Sequence, residues 1–562
     1  MTGPTRWVAA IATGAVLCLS ACTSTSSHVG APTAPASSLP SAPATSSSTV
    51  AASSVPPVNS SAPALSSSLL GSPATVATSS AASPAGPPVP TALPHIDPST
   101  LTAFYTQQLA WKPCGGLYCA SLTVPIDYAN PAAGAIQLAV SRELTTRKPN
   151  LGEVVVNPGG PGASGIQFLQ SAAGFVRTQL GNEFDVVSFD PRGVGSSAPI
   201  RCLSSAQLDQ WVAFEGDPQS PSSVTEQDQL AKGFAAGCEA KSGALLAHVS
   251  TIDTARDLDV LRAALGQSKL TYMGFSYGTF LGAIYAQLFP QNVRALVLDG
   301  AVDPAASAVE LDDVQAQGFE VALKAWIASC VTSSNCPVGT SAADAEQRLD
   351  TWLATLRTAP IAASDGRSLT VALAVQGVAA ALYTTQDWQP LTASLSAAMK
   401  GNPAGLLTLS DQIDGRQSNG SYDNLIESNM AINCVDRPSL GPISAYAAAA
   451  IAGAKDDGPT FGEFIGWGNV ACADWPVAAE LAPGPISPAG SPPIMVVGTL
   501  RDPATPYRWA QALAKEAKGP LLTYDGDGHT AFLQSSCVDT VVKTFLVSLT
   551  DPAPETTCQD DT

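Results

Sequence analysis

The chain has 562 residues, of which 46 are Asp or Glu and 27 are Lys or Arg, for a formal net charge of −19. That acidity argues against nucleic acid or an anionic surface as the partner. With four His and no C-x-x-C pair among twelve Cys, neither a metal site nor a cofactor is expected.

The first 22 residues, MTGPTRWVAAIATGAVLCLSAC, place one arginine ahead of an apolar run from Trp7 to Leu19. The run is shorter than the ~20 residues of a membrane-spanning helix and has the layout of a signal-peptide core. It ends in Leu19-Ser20-Ala21-Cys22, which resembles the lipobox of bacterial lipoproteins. The resemblance implies cleavage before Cys22, lipidation of its thiol and anchorage on the outer face of the cell membrane; plain secretion is the alternative. From Cys22 to Ile96 no charged or aromatic residue other than histidine occurs, and Ser, Ala, Pro and Thr dominate. Such a chain buries too little apolar area to offset its conformational entropy, so residues 23–98 are expected to be a disordered tether reaching up to about 250 Å at ~3.3 Å per residue.

Export also suits the cysteines. Setting aside Cys18 and Cys22 leaves ten, an even number that suggests disulfides. Among the many possible connectivities, proximity in the chain favours Cys114–Cys119, Cys202–Cys238, Cys330–Cys336, Cys434–Cys472 and Cys537–Cys558.

Eight apolar, β-branched runs follow: 121–128, 136–144, 153–160, 184–193, 269–276, 294–300, 493–502 and 521–529. The later ones are continuous, as strands covered on both faces are. Helical patterns alternate with them. Residues 254–266 put Leu258, Leu261 and Leu265 on one stripe and stop at Gly266, and residues 277–290 stop at Pro290. The alternation predicts an α/β fold built on a mostly parallel eight-stranded sheet. Between the sixth and seventh runs the rhythm breaks for a long, mostly helical stretch, which includes residues 344–360 and 373–401. The expected organisation is therefore a first core segment (99–302), a large helical cap (303–488) and a second core segment (489–562).

The stretch TYMGFSYGTFLGA (271–283) holds Ser276 between Gly274 and Gly278. The G-x-S-x-G pattern is short, but here it falls between a strand and a helix, as a nucleophile elbow requires. A serine hydroxyl needs a base. His28 and His95 lie in the tether and His248 precedes the helix before the elbow strand, so His248 reads as structural. His529, in a glycine-rich loop after the last strand, is the candidate base. Asp502, in the loop after the seventh strand, is favoured over Asp299 as the carboxylate that orients it; Asp525 and Asp527 read as turn residues. The chain order Ser276, Asp502, His529 is that of an α/β-hydrolase. Donors for an oxyanion are expected from the glycine turn after the third strand, the amide of Gly159 or Gly160, and from the amide of Tyr277.

Taken in order, NPGGPGASG (157–165), FDPRGVGSS (189–197), GFSYGT (274–279), RDPATP (501–506) and GDGH (526–529) resemble the secreted tripeptidyl aminopeptidases related to prolyl iminopeptidases, α/β-hydrolases with an interposed cap found largely in actinobacteria. Asn157 departs from the histidine of the prolyl iminopeptidase pattern HGGPG. The resemblance spans most of residues 100–545 and implies cleavage of short peptides from a free N-terminus. Such an enzyme needs an anionic group for the substrate ammonium, and Asp436, Glu427 and Glu310 are the candidates; Asp436 lies in AINCVDRP (431–438), a segment similar to one near the cap's return in that group. Asp190 and Arg192 are expected to brace the loop beside the oxyanion turn, and Thr505 to hydrogen-bond Asp502. A carboxylesterase or lipase with the same triad is the alternative, and a non-catalytic peptide- or wall-binding lipoprotein the third reading.

Overall fold

The computed structural model describes Ile96, residues 98–480 and residues 482–560. The expected signal peptide, Cys22 and nearly all of the expected tether lie outside these residues. Twelve strands occur in chain order: β1 (Lys112–Cys114), β2 (Leu117–Pro125), β3 (Ala135–Glu143), β4 (Glu153–Asn157), β5 (Asp185–Phe189), β6 (Leu270–Phe275), β7 (Val293–Asp299), β8 (Ile361–Ala362), β9 (Ser368–Leu369), β10 (Ile494–Arg501), β11 (Leu521–Asp527) and β12 (Thr557–Gln559).

All eight predicted runs are strands of one sheet, which short strands at the two edges extend to ten in the order β1-β2-β3-β5-β4-β6-β7-β10-β11-β12. Pairing is antiparallel from β1 to β5 and parallel from β5 to β12. The central strands are apolar throughout because both faces are covered. In β6, Leu270 and Tyr272 enter the core on one face, with Leu258 and Leu281, while Met273 and Phe275 enter the other, with Phe168 and Phe545. This is the period-2 alternation of a strand read onto two cores. Asp525 and Asp527 belong to β11 rather than to a turn, and both pair with Arg501 of β10, at 2.9 and 2.7 Å.

Between β7 and β10 the chain builds a helical layer with its own core, in which Trp326, Leu349, Leu373, Leu391 and Leu406 pack together. Residues 373–401 are not one helix. The helices Val371–Leu382 and Trp388–Ala398 are separated by a break that starts at Tyr383. A second contribution comes from before the elbow strand: the helices Ser205–Ala213 and Pro221–Leu246. Val212 joins the core of the inserted layer, and Leu208 and Phe234 pack with Phe280, Ile432 and Val435. The layer above the sheet is thus made from two separate stretches of chain.

The five disulfides of the structure are Cys114–Cys119, Cys202–Cys238, Cys330–Cys336, Cys434–Cys472 and Cys537–Cys558. Among the described residues no helix is long and apolar enough to cross a membrane, and no group of three or more His, Cys, Asp or Glu is arranged to hold a metal ion.

Candidate active site

Ser276 stands between β6 and the helix Tyr277–Leu288, with φ 55° and ψ −128°. A residue with a Cβ adopts such angles only when its surroundings impose them. Here the Ser276 N–H donates to Asp299 O (2.9 Å), and the Ser276 carbonyl accepts from Thr279 N (2.8 Å) and Thr279 Oγ1 (2.6 Å). The flanking glycines are demanded by contact. A Cβ on Gly274 would lie 2.2 Å from Gly278 O, and one on Gly278 would lie 2.7 Å from Asn157 O.

His529 follows β11 and is buried, 4% exposed, as is Asp502 at 2%. The imidazole Nδ1 lies 2.9 and 3.0 Å from the two carboxylate oxygens of Asp502. Asp502 is itself held by the amides of Ala504 (2.9 Å), Thr505 (2.8 Å) and Thr530 (3.1 Å) and by Thr505 Oγ1 (2.9 Å). With Nδ1 facing a carboxylate, the proton sits on Nδ1 and Nε2 is left as the basic nitrogen. Asp299 takes a different part. Its carboxylate, fully buried and pushed up to about 7 by that burial, accepts the amides of Ala531 (3.0 Å) and Phe532 (2.8 Å) just after His529. The ring of Tyr383 stands edge-on to His529, with centroids 5.2 Å apart, and its carbonyl accepts the His529 N–H (2.8 Å).

In the glycine turn after β4, the Gly159 amide donates to Asn157 Oδ1 (3.0 Å). It is therefore committed to the turn, whereas Gly160 faces the same cavity as Ser276 and His529. A Cβ on Gly159 would come within 3.0 Å of Tyr277 N, which shows how closely the turn approaches the elbow. Asp190 binds Ser164 Oγ (2.6 Å) and Ile166 N (3.1 Å), bracing the helix Gly165–Gln179 that leaves this turn. Arg192 reaches elsewhere: its buried guanidinium makes a two-pronged pair with Asp257, at 2.7 Å on each arm, and donates to His248 O (2.8 Å). His248 itself faces Asp253 at 3.7 Å, away from the cavity.

The cavity has a volume of about 370 Å³ and is walled by Ser276, His529 and Gly160 on the sheet side. Trp211 comes from the helix Ser205–Ala213 and Glu215 from the connection that follows it, and Asp414, Met430 and Trp467 come from the inserted layer. None of the three acidic residues expected to hold an ammonium lines it. Glu427 is buried beneath the wall and accepts the amides of Cys202 and Leu203 (2.9 Å for the latter). Asp436 accepts Thr251 N (2.7 Å) and Thr251 Oγ1 (2.6 Å), and Thr251 in turn hydrogen-bonds the Tyr277 hydroxyl, so Asp436 braces the elbow from behind. Glu310 is exposed in the first turn of the helix Ala308–Cys330. The carboxylates that do face the cavity are Glu215 and Asp414. A sequence signal for the first existed: the stretch between Phe189 and Leu270 is far longer than a strand-to-helix connection needs.

The chain matches the family model for the alpha/beta hydrolase fold over residues 153–536. It is 38% identical over 475 residues to the serine protease Hip1 of Mycobacterium tuberculosis, covering 80% of this chain and 91% of that protein. It is 37% identical over 451 residues to a carboxylesterase B of the same organism, covering 78% and 86%. To the tripeptidyl aminopeptidase of Streptomyces coelicolor it is 32% identical over 468 residues, covering 80% and 85%. The chain belongs to the α/β-hydrolase family and is a serine hydrolase.

Proposed function

We propose that the protein is a serine exopeptidase that cleaves short peptides from their free N-termini through an acyl-enzyme. The observation that carries this reading is Ser276, held at φ 55° on the wall of a cavity shared with His529, whose Nδ1 is fixed by Asp502. Ser276 Oγ attacks the scissile carbonyl carbon while its proton passes to His529 Nε2. The oxyanion that forms is met by the amides of Gly160 and Tyr277. His529 then protonates the leaving amine, and water admitted to the same base hydrolyses the ester. A cavity of about 370 Å³, walled in part by the inserted layer, suits short substrates.

Relatives named a serine protease and a tripeptidyl aminopeptidase support a peptidase, and one named carboxylesterase B keeps ester hydrolysis as the competing reading. We place the enzyme outside the cytoplasm, carried by a lipid on Cys22, a location supported by the lipobox-like Leu19–Cys22 and by five disulfides. Peptide-coumarin substrates with free and acetylated N-termini, assayed beside short-chain esters, test the activity. Equal cleavage of blocked and free peptides would end the exopeptidase reading, and activity on esters alone would make the enzyme a carboxylesterase. Loss of detergent-phase partitioning in Cys22→Ser tests the anchor.

A further inference from the structure

Two carboxylates on the cavity wall have no part in the chemistry at Ser276. Asp414 ends the helix Ala404–Asp414 and is 8% exposed. Its one hydrogen-bond partner is Ser410 Oγ (3.2 Å), and no Lys, Arg or His pairs with it among the described residues. The Ser410 hydroxyl also lies 2.9 Å from Gln376 Oε1. One hydroxyl proton cannot serve both acceptors. With the Ser410 proton on Gln376, Asp414 must carry its own proton and donate it to Ser410, and burial pushes the Asp414 carboxyl up to about 8, in agreement. The guanidinium whose charge reaches Asp414, that of Arg367, is occupied by Asp411 (2.6 Å) and Asp365 (2.8 Å).

Glu215 has a side chain 4% exposed and pairs through one oxygen with Arg357, at 3.2 Å. Arg357 is shared with Glu463 (2.8 Å), and the second oxygen of Glu215 has no hydrogen-bond partner among the described residues. Both acids line the same cavity, and the Gln376 amide also reaches Val212 O (3.5 Å). This part of the wall thus holds acid in excess of base, at the negative end of a helix dipole, next to an aromatic and aliphatic surface from Trp211, Val212 and Ile413. Leaving buried carboxyls uncompensated is costly, and a cation delivered by the ligand removes that cost.

We propose that Asp414, assisted by the free oxygen of Glu215, receives the α-ammonium of the peptide substrate. The assignment rests on the exopeptidase reading above. It moves the anchor away from Asp436, Glu427 and Glu310 and makes the connection between the two pre-elbow helices part of substrate selection. On binding, the Asp414 proton leaves to solvent, the carboxylate accepts from the ammonium, and the Ser410–Gln376 bond is retained.

The experiment compares kcat/KM for one tripeptide-coumarin with a free amine and for its N-acetyl form, in wild type, Asp414→Asn and Glu215→Gln. Labelling of Ser276 by a fluorophosphonate reports that each variant is folded. The free-to-acetylated preference should fall about 10- to 100-fold in Asp414→Asn, chiefly through KM, and by a smaller factor in Glu215→Gln. Should Asp414→Asn fail to label, Glu215→Gln and competition by the free-amine tripeptide amide against labelling of wild type between pH 6 and 9 decide the matter. A preference kept in full by the labelled variants overturns the anchor and leaves the exopeptidase reading standing. No preference in wild type overturns that reading itself.

Discussion

The carboxylate of Asp299, at the end of β7, receives the amide protons of Ala531 (3.0 Å) and Phe532 (2.8 Å), so the loop that carries His529 hangs from the strand next to the elbow strand. Ser276 donates its own N–H to the Asp299 carbonyl. One residue therefore fixes the two halves of the site, Ser276 through its main chain and His529 through its side chain. Removing the carboxylate in Asp299→Ala leaves two buried amides unpaired, which costs about 2–6 kcal/mol of stability at about 1–3 kcal/mol per group. Asp502→Asn should differ in kind, lowering kcat by about 10⁴ through the wrong imidazole tautomer, with a smaller Tm loss because one oxygen is kept for the amide donors. Thermal melts and kcat for the two variants check this; equal kcat losses without a Tm difference would assign both acids the same task.

Glycine substitutions should divide by what a Cβ would meet. Gly278→Ala brings its Cβ to 2.7 Å from Asn157 O, and Gly274→Ala brings its Cβ to 2.2 Å from Gly278 O, in both cases against backbone. Either change must shift the elbow or the glycine turn, with an expected loss of about 3 kcal/mol or more and of Ser276 labelling. Gly233 and Gly243 lie in the helix Pro221–Leu246 with nothing within 4 Å of a new Cβ. Alanine there should stabilise by about 0.5–1 kcal/mol each. Denaturant midpoints for the four variants provide the comparison.

The sheet was legible because central strands must be apolar on both faces, a pattern no solvent-facing segment shares; Leu270, Tyr272, Met273 and Phe275 show it within one strand. The elbow and the His529 loop were legible because their glycines and single histidine follow strands that could already be placed. The cavity wall was not. Asp414 looks like the solvated acid of any surface helix and Glu215 like that of any loop until folding buries them, and Tyr383 stood inside an apparently continuous helix that breaks at YTTQD. There Thr384 Oγ1 accepts the Gln386 N–H (3.3 Å), a local bond that competes with the helix and turns Tyr383 toward His529. Which acid faces a cavity depends on contacts between residues about 200 positions apart, and such contacts leave no local period.

The Cys434–Cys472 disulfide joins the end of the helix Leu425–Asp436 to the turn Val470–Asp474. Met430 and Val470, on the two sides of this link, both line the cavity. A loop of that size stabilises by about 4 kcal/mol in the chain-entropy account. The double variant Cys434→Ser, Cys472→Ser should lower Tm and raise KM for peptides more than it lowers kcat, since the link holds the wall and not the triad. The pair Cys114→Ser, Cys119→Ser, at the β1–β2 hairpin, should leave KM as it is. Steady-state kinetics on the two double variants distinguish a wall function from a general loss of stability.

Stability should fall as pH rises from about 4 to about 8. Burial pushes Asp299, Glu215 and Glu320 up to about 7 and Asp312 and Asp414 up to about 8. For a carboxyl raised in this way the folded chain binds more protons than the unfolded one between the ordinary value, near 4, and the raised value. Its contribution is fully present below the unfolded value and is lost as pH climbs through the folded one. Asp253, which its neighbouring arginines hold below the usual range, has the opposite sign but acts only at lower pH. The net charge of −19 adds self-repulsion in the same direction. Melting at pH 5, 6.5 and 8 and constant ionic strength should therefore give a steadily decreasing Tm, by about 5 °C or more over the range. Asp312→Asn, which substitutes a neutral side chain for a carboxyl held near 8, should flatten the upper part of that decline; a Tm that rises toward pH 8 in wild type would mean that these carboxyls are compensated in the folded protein.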